Sequence, residues 1–294
     1  MQQPREHVVE VAPGVRLWVE ERGDADAPPL LLIMGSLASG ITWPEELVDA
    51  LAERHRVVRY DHRDTGRSTW SFASEPYPLT DLAKDALAVL DALGIERAHV
   101  VGMSLGGMLT QLVMADRPER LLSATLIATG VLSSAPYTHP DGTVTAVDEL
   151  PPFDPRWVAA WERREDGWDL AAELDWRVEH WRLLGGEVIP FDAEEARELE
   201  LRVIEHTGHH RVSLAHALAD QSGMERTEEL AANKVPTLVV GAPEDPLFPP
   251  PHPQRTAQAI GGARLVEIPG MGHALPSPVL GPLADAVLSR TAGT

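Results

Sequence analysis

The chain has 294 residues, 44% of them hydrophobic and 24% charged, which supplies enough apolar side chain for a substantial core and argues against wholesale disorder. A formal charge of −20 argues against nucleic-acid backbones and anionic membrane surfaces as partners, and tilts steering toward neutral or cationic small molecules. With no cysteine present, disulfides, thiolate metal sites and a cysteine nucleophile are excluded together.

The opening residues Met1 to His7 lack the basic-then-apolar pattern of a secretory leader, and no apolar run approaches membrane-spanning length, so a cytoplasmic protein is expected. Val8–Val11 and Val15–Glu20 flank a Pro13-Gly14 turn and predict an antiparallel pair at a sheet edge. Leu30–Ile33 is a short continuous apolar run, the pattern of a strand covered on both faces. Arg56–Tyr60 predicts a second buried strand. Helical spacing follows over Leu79–Leu93, with Thr80 or Asp81 as cap and Gly94 as stop. A strand (His99–Met103), a helix (Leu105–Ala115) and a strand (Ala124–Ala128) come next, and this alternation predicts an α/β fold built on a mostly parallel sheet flanked by helices.

The rhythm breaks after Gly130. Residues 131–226 show helical periodicity, no convincing strand, and five of the eight tryptophans: Trp157, Trp161, Trp168, Trp176 and Trp181. Strand and helix alternation resumes at Val235–Gly241 and Ala263–Ile268 and closes with a helix near Leu280–Arg290. Residues 1–130 and 227–294 are therefore expected to form one core, with 131–226 as an inserted helical cap.

The strongest local signal is Gly102-Met103-Ser104-Leu105-Gly106, a G-x-S-x-G pattern lying between an apolar strand and an apolar-faced helix. Such a sharp strand-to-helix turn holds a serine at its tip, and the glycines leave room for neighbouring backbone. A serine hydroxyl needs a base to take its proton. His273, in Ile268-Pro269-Gly270-Met271-Gly272-His273, leaves the last strand at the sheet edge where such sites gather, and is preferred over His252. Asp245 follows the 235–241 strand at the same edge and is the acid expected to orient the histidine, with Glu244 as its neighbouring competitor. The oxyanion donors are expected to be the backbone N–H groups of Leu105 and of Ser36, after the Leu30–Ile33 strand. Met34, Gly35 and Trp181 are candidate substrate contacts.

These residues, over nearly the whole chain, resemble the α/β-hydrolase superfamily, whose triad runs in the order Ser, Asp, His. Asp61-His62-Arg63-Asp64-Thr65-Gly66-Arg67-Ser68 is similar to the superfamily's D-x-R-G-x-G-x-S signature, with Asp64 where glycine is usual. Arg59–Thr69 and Ile268–Ser277 resemble most the anthracycline (aclacinomycin) methylesterases, which remove a methyl ester from a polyketide aglycone. The resemblance implies catalytic roles for Ser104, Asp245 and His273, and by position oxyanion roles for Ser36 and Leu105. Two departures fall beside the site: Met34 stands where the wider family often has histidine, and Ser36 where the methylesterases have glycine.

The expected activity is serine carboxylic-ester hydrolysis of a small molecule through an acyl-enzyme, with no metal or organic cofactor. Alternatives that keep the triad are a C–C bond hydrolase and a cofactor-free perhydrolase; a non-catalytic receptor is the alternative of another class. The tryptophans of the insertion read mainly as cap core, since Trp157 and Trp161 share a helix face. His206, His209 and His210 read as solvated cap surface rather than a metal site, Asp61 to Arg63 as a structural loop, and the acidic run Glu194 to Glu200 as an exposed helix face.

Overall fold

The computed structural model describes residues 3–165 and 167–292. Strands β1 (Arg5–Ala12) and β2 (Val15–Arg22) pair antiparallel across the Pro13-Gly14 turn. They continue into β3 (Pro29–Ile33), β4 (Arg56–Tyr60), β5 (Ala98–Met103) and β6 (Leu121–Ile127); after a small separate hairpin of β7 (Tyr137–Thr138) and β8 (Val144–Thr145) come β9 (Thr237–Gly241) and β10 (Arg264–Glu267). These eight strands make one sheet in the order β1-β2-β4-β3-β5-β6-β9-β10, parallel throughout from β4 to β10.

Side chains alternate across the sheet with the period of two that a strand imposes. Leu31, Ile33 and Val100 face one side, where helices α2 (Leu79–Ala92) and α3 (Leu105–Asp116) contribute Leu82, Val89 and Leu109. Leu30, Leu32, Val101 and Met103 face the other, against Leu47 and Leu51 of α1 (Glu45–Ala52) and Leu283 and Val287 of α10 (Ser277–Thr291). Every residue of β5 is buried. A one-residue slip would turn each of these side chains onto the wrong face, and full burial of each leucine stabilises by about 1.5–3 kcal/mol, so the register is firmly held.

Between β6 and β9 the chain forms helices α4 (Pro155–Glu162), α5 (Leu170–Leu184), α6 (Ala193–Thr207), α7 (Ala215–Leu218) and α8 (Thr227–Ala231), and α9 (His252–Ala259) follows β9. Asp154, Asp169 and Asp192 cap the first three through their carboxylates. This stretch also contains a hairpin of β7 (Tyr137–Thr138) and β8 (Val144–Thr145), which the absence of strand patterning did not anticipate; two residues a side carry no periodicity to detect.

Three local expectations are corrected. Helix α2 starts at Leu79 with Pro78 as its cap residue and no side-chain cap; the Leu79 N–H is taken instead by the Asp220 carbonyl of the insertion. Strand β9 begins at Thr237, because Pro236 has no N–H for the ladder. Glu200 does not belong to an exposed acidic face: Glu194, Glu195 and Glu198 are exposed, but Glu200 is buried and accepts from Arg177 Nη1 at 2.8 Å and Trp181 Nε1 at 2.6 Å.

Candidate active site

The edge formed by the carboxyl ends of the parallel strands carries the predicted residues. Met103, Ile127 and Val240 lie in register across β5, β6 and β9, and Val240 pairs with Val266 of β10, so the following loops open side by side. Ser104 is the turn between β5 and α3, with φ 53° and ψ −120°, a backbone conformation a serine adopts only when its surroundings enforce it. The enforcement is visible. Its N–H donates to the Ile127 carbonyl at 3.0 Å, and its own carbonyl accepts from Thr129 Oγ1 at 2.7 Å and the Gly107 N–H at 2.9 Å.

The glycines on either side are required by close approach. A Cβ on Gly102 would lie 2.2 Å from the Gly106 carbonyl oxygen, and one on Gly106 would lie 2.0 Å from that of Ile33. Both collisions are with backbone, which cannot swing away. The tight fit brings the end of β3 against the start of α3, and a Cβ on Gly35 would sit 3.2 Å from Ser104 Cβ. Ser104 keeps partial exposure, and its hydroxyl takes part in no hydrogen bond among the described residues.

Asp245 and His273 meet through Asp245 Oδ2 and His273 Nδ1 at 2.9 Å, both buried. The other carboxylate oxygen, Oδ1, accepts from the N–H groups of Leu247 at 2.8 Å and Phe248 at 3.0 Å. Burial alone would raise the Asp245 pKa; the charge and hydrogen bond of His273 and the two backbone donors outweigh it and leave the carboxyl below the ordinary range. An anionic Asp245 can only accept, so the hydrogen of this bond sits on His273 Nδ1. Glu244 is not the partner of His273: its N–H donates to the Met271 carbonyl, and its side chain lies against Gly186. His252 opens α9 and bonds the Pro151 carbonyl at 2.9 Å, away from Asp245.

Leu105 is the first residue of α3, so its N–H has no intrahelical acceptor and adds the positive end of the helix to the site. Ser36 follows Gly35 in the loop after β3 and is exposed; Gly35 is the residue of that loop that approaches Ser104. Met34 turns its side chain into the core with Trp43 and Leu47, while its carbonyl accepts from His62 Nε2 at 3.0 Å. Trp181 packs with Leu184, Leu247, Phe248 and Trp157 in a cluster that includes Ala274 and Met108, and Phe248 lies 5.9 Å from the His273 ring. These side chains put apolar surface beside the His273 ring.

The signature loop explains its own departure from pattern. Asp64 has φ 59°, the left-handed region that favours glycine, and its carboxylate accepts from the Phe72 N–H at 3.2 Å and Tyr77 hydroxyl at 2.9 Å. Among the histidines, the reading of His206, His209 and His210 as solvated cap surface is corrected. His206 Nε2 contacts Asp61 Oδ2 at 2.7 Å, His209 packs edge-on to Trp70, and His210 reaches the Trp168 carbonyl at 3.2 Å. No group of residues suited to hold a metal ion occurs among the described residues.

His62 and His216 are both buried, with ring centroids 5.5 Å apart. Burial pushes both below the ordinary histidine value, His216 to about 3, aided there by the neighbouring His62 ring. The unfolded chain takes up these protons near pH 6.5 whereas the fold refuses them, so stability is full above that pH and falls as the solution is acidified. For His216, whose folded value lies near 3, the slope approaches about 1.4 kcal/mol per pH unit between about pH 6 and pH 4, and His62 acts in the same direction. Urea midpoints taken between pH 7 and pH 4 are expected to drop accordingly; a flat profile would contradict neutral burial.

A family model for the alpha/beta hydrolase fold matches residues 28–276. The chain is 44% identical to the rhodomycin D methylesterase DauP of Streptomyces sp. (strain C5), over 94% of this chain and 95% of that protein. It is 43% identical to the rhodomycin D methylesterase DnrP of Streptomyces peucetius, over the same shares. A solved hydrolase from Pseudomonas aeruginosa superposes with a TM-score of 0.70 at 27% identity, covering 98% of this chain and 99% of that one. No helix among the described residues is long and apolar enough to cross a membrane. The chain belongs to the alpha/beta hydrolase fold family, alongside the methylesterases, and is an enzyme of ester hydrolysis.

Proposed function

We propose that the chain hydrolyses methyl esters of flat aromatic polyketides through an acyl-enzyme on Ser104. The observation that carries the reading is the buried Asp245–His273 pair on the same sheet edge as the strained Ser104 turn. Ser104 Oγ attacks the ester carbonyl while His273 Nε2 takes its proton, and the N–H groups of Ser36 and Leu105 receive the oxyanion. His273 returns the proton to the departing methoxide, releasing methanol. Water then repeats the sequence at the acyl carbon and frees the carboxylic acid.

Residues 1–130 and 227–294 serve as the catalytic core, and 131–226 as a cap that shapes the pocket. The aromatic wall of Trp157, Trp181 and Phe248 suits a planar substrate, with Gly35 keeping the approach to Ser104 open. The similarity to methylesterases of rhodomycin D supports this substrate class, and the −20 charge disfavours a dianionic keto acid of the kind a C–C hydrolase takes. The setting proposed is the cytoplasm.

The test is methanol release from polycyclic aromatic methyl esters set against hydrolysis of short p-nitrophenyl esters, with a fluorophosphonate adduct located by mass spectrometry. A preference for the aromatic methyl esters and an adduct on Ser104 are expected. A preference for short simple acyl chains would remove the substrate assignment, and an adduct on another residue would remove the mechanism.

A further inference from the structure

The loop that carries Ser36 does not hold itself in place. Leu37 has φ 63°, the left-handed region in which a residue with a Cβ is strained, so the loop relaxes unless something outside fixes it. Two imidazoles do so. His62 Nε2 donates to the Met34 carbonyl at 3.0 Å, one residue before Gly35, and the Leu37 N–H donates to His216 Nδ1 at 3.0 Å, one residue after Ser36.

The protonation of His216 follows from its partners. Nδ1 accepts an N–H and is therefore bare, so the ring proton sits on Nε2, which donates to the Arg63 carbonyl at 3.0 Å. A single neutral tautomer satisfies both contacts. The Arg63 carbonyl is a firm anchor, because the Arg63 side chain is bound in fork geometry to Asp85 of α2, both bonds at 2.6 Å. His216 thus ties the oxyanion loop to a fixed point of the core, although it lies 179 residues from Leu37 and on the short helix α7 of the insertion.

We infer that His216 is a positioning residue for ester hydrolysis, holding the Met34–Leu37 loop so that the Ser36 N–H faces the developing oxyanion, with His62 clamping the loop's other end. The insertion then supplies part of the support for the oxyanion hole in addition to shaping the pocket. A second tie from the same segment reinforces it. His206 meets the buried Asp61, whose other oxygen holds the Gly40 N–H at 2.7 Å and the Ser39 hydroxyl, three and two residues beyond Leu37. The inference rests on Ser104 as nucleophile and Ser36 as oxyanion donor.

The experiment compares His216→Ala, His216→Asn and His216→Gln, each normalised to the serine that a fluorophosphonate titrates to completion. An asparagine oxygen can replace the Nδ1 acceptor toward Leu37, whereas glutamine reaches the Nε2 position toward Arg63. For alanine and glutamine, kcat is expected to fall about 10- to 100-fold with KM little changed, a fraction of what complete loss of an oxyanion donor costs. Asparagine is expected to recover most of the loss. Affinity for a boronic acid, which forms a tetrahedral adduct on the serine, should weaken in parallel with kcat/KM.

A purely structural histidine would instead lower the thermal midpoint and the titratable fraction while leaving kcat per titrated serine at the wild-type value. That result, or an asparagine variant no better than glutamine, overturns the inference. If alanine fails to fold, the asparagine and glutamine pair still decides, because each retains one of the two hydrogen bonds. Failure of the phosphonate to label Ser104 in the wild type would instead overturn the underlying reading, so the two failures are distinguishable.

Discussion

Ser104→Ala is expected to lower kcat by about 10⁶-fold, leaving a residual acceleration of about 10³–10⁴ over water from the oxyanion donors and substrate binding. The fold should be untouched. The serine hydroxyl makes no hydrogen bond among the described residues, so its removal strands no buried partner, and alanine meets the same strained φ of 53° without added bulk. Hydrolysis of an aromatic methyl ester, followed as methanol release, together with the thermal midpoint, checks both halves. Activity near wild type would show that an adventitious nucleophile or water does the chemistry. A parallel loss of activity and stability would show that the substitution broke the turn.

Asp245→Asn is the sharper test of the acid, because the structure dictates how the amide must sit. Oδ1 of Asp245 accepts two backbone N–H groups, from Leu247 and Phe248, and only the amide oxygen of asparagine can take that place. The amide nitrogen is then turned toward His273 Nδ1, donor facing donor. His273 is driven to the other tautomer, with its proton on Nε2, the atom that must accept the proton of Ser104. A fall in kcat of about 10⁴-fold with little change in KM is expected. The loss should ease as pH rises and hydroxide competes. Kinetics of the asparagine variant between pH 6 and pH 10 check this, and a kcat within tenfold of wild type at neutral pH would show that Asp245 does not set the tautomer.

The strands β3 and β5, the turn at Pro13-Gly14 and the Gly102–Gly106 pattern were readable because each is written in neighbouring residues: a short continuous apolar run, a turn dipeptide, a spacing of four. The meeting of Asp245 with His273 was foreseeable for a related reason, since each follows its own strand at the same sheet edge. What escaped depends on contacts across the chain. His216 is one histidine among twelve, and nothing beside it announces that its ring faces Leu37. Glu200 sits in a run that is acidic and helical, and only the arrival of Arg177 and Trp181 from α5 turns it inward. Helix α2 takes its first acceptor from Asp220, which no local cap rule could supply. Asp64 is the intermediate case: its departure from glycine was visible, but the left-handed φ that makes glycine usual there arises only in the folded loop.

The Leu184 carbonyl, at the end of α5, accepts the backbone N–H of His273 at 2.7 Å, and a Cβ on Gly272 would meet Gly185 at 2.5 Å. For anyone exchanging the segment between β6 and β9 among related hydrolases to redirect specificity, cuts at the proposed boundaries, residues 130 and 227, would sever these ties. A foreign insertion brings its own pocket wall but no acceptor for His273, no imidazole for Leu37 and none for Asp61. Each buried group left without a partner costs about 1–3 kcal/mol. Chimeras built here should keep the α5 terminus together with His206 and His216, and vary only the tryptophan-bearing faces of α4 and α5.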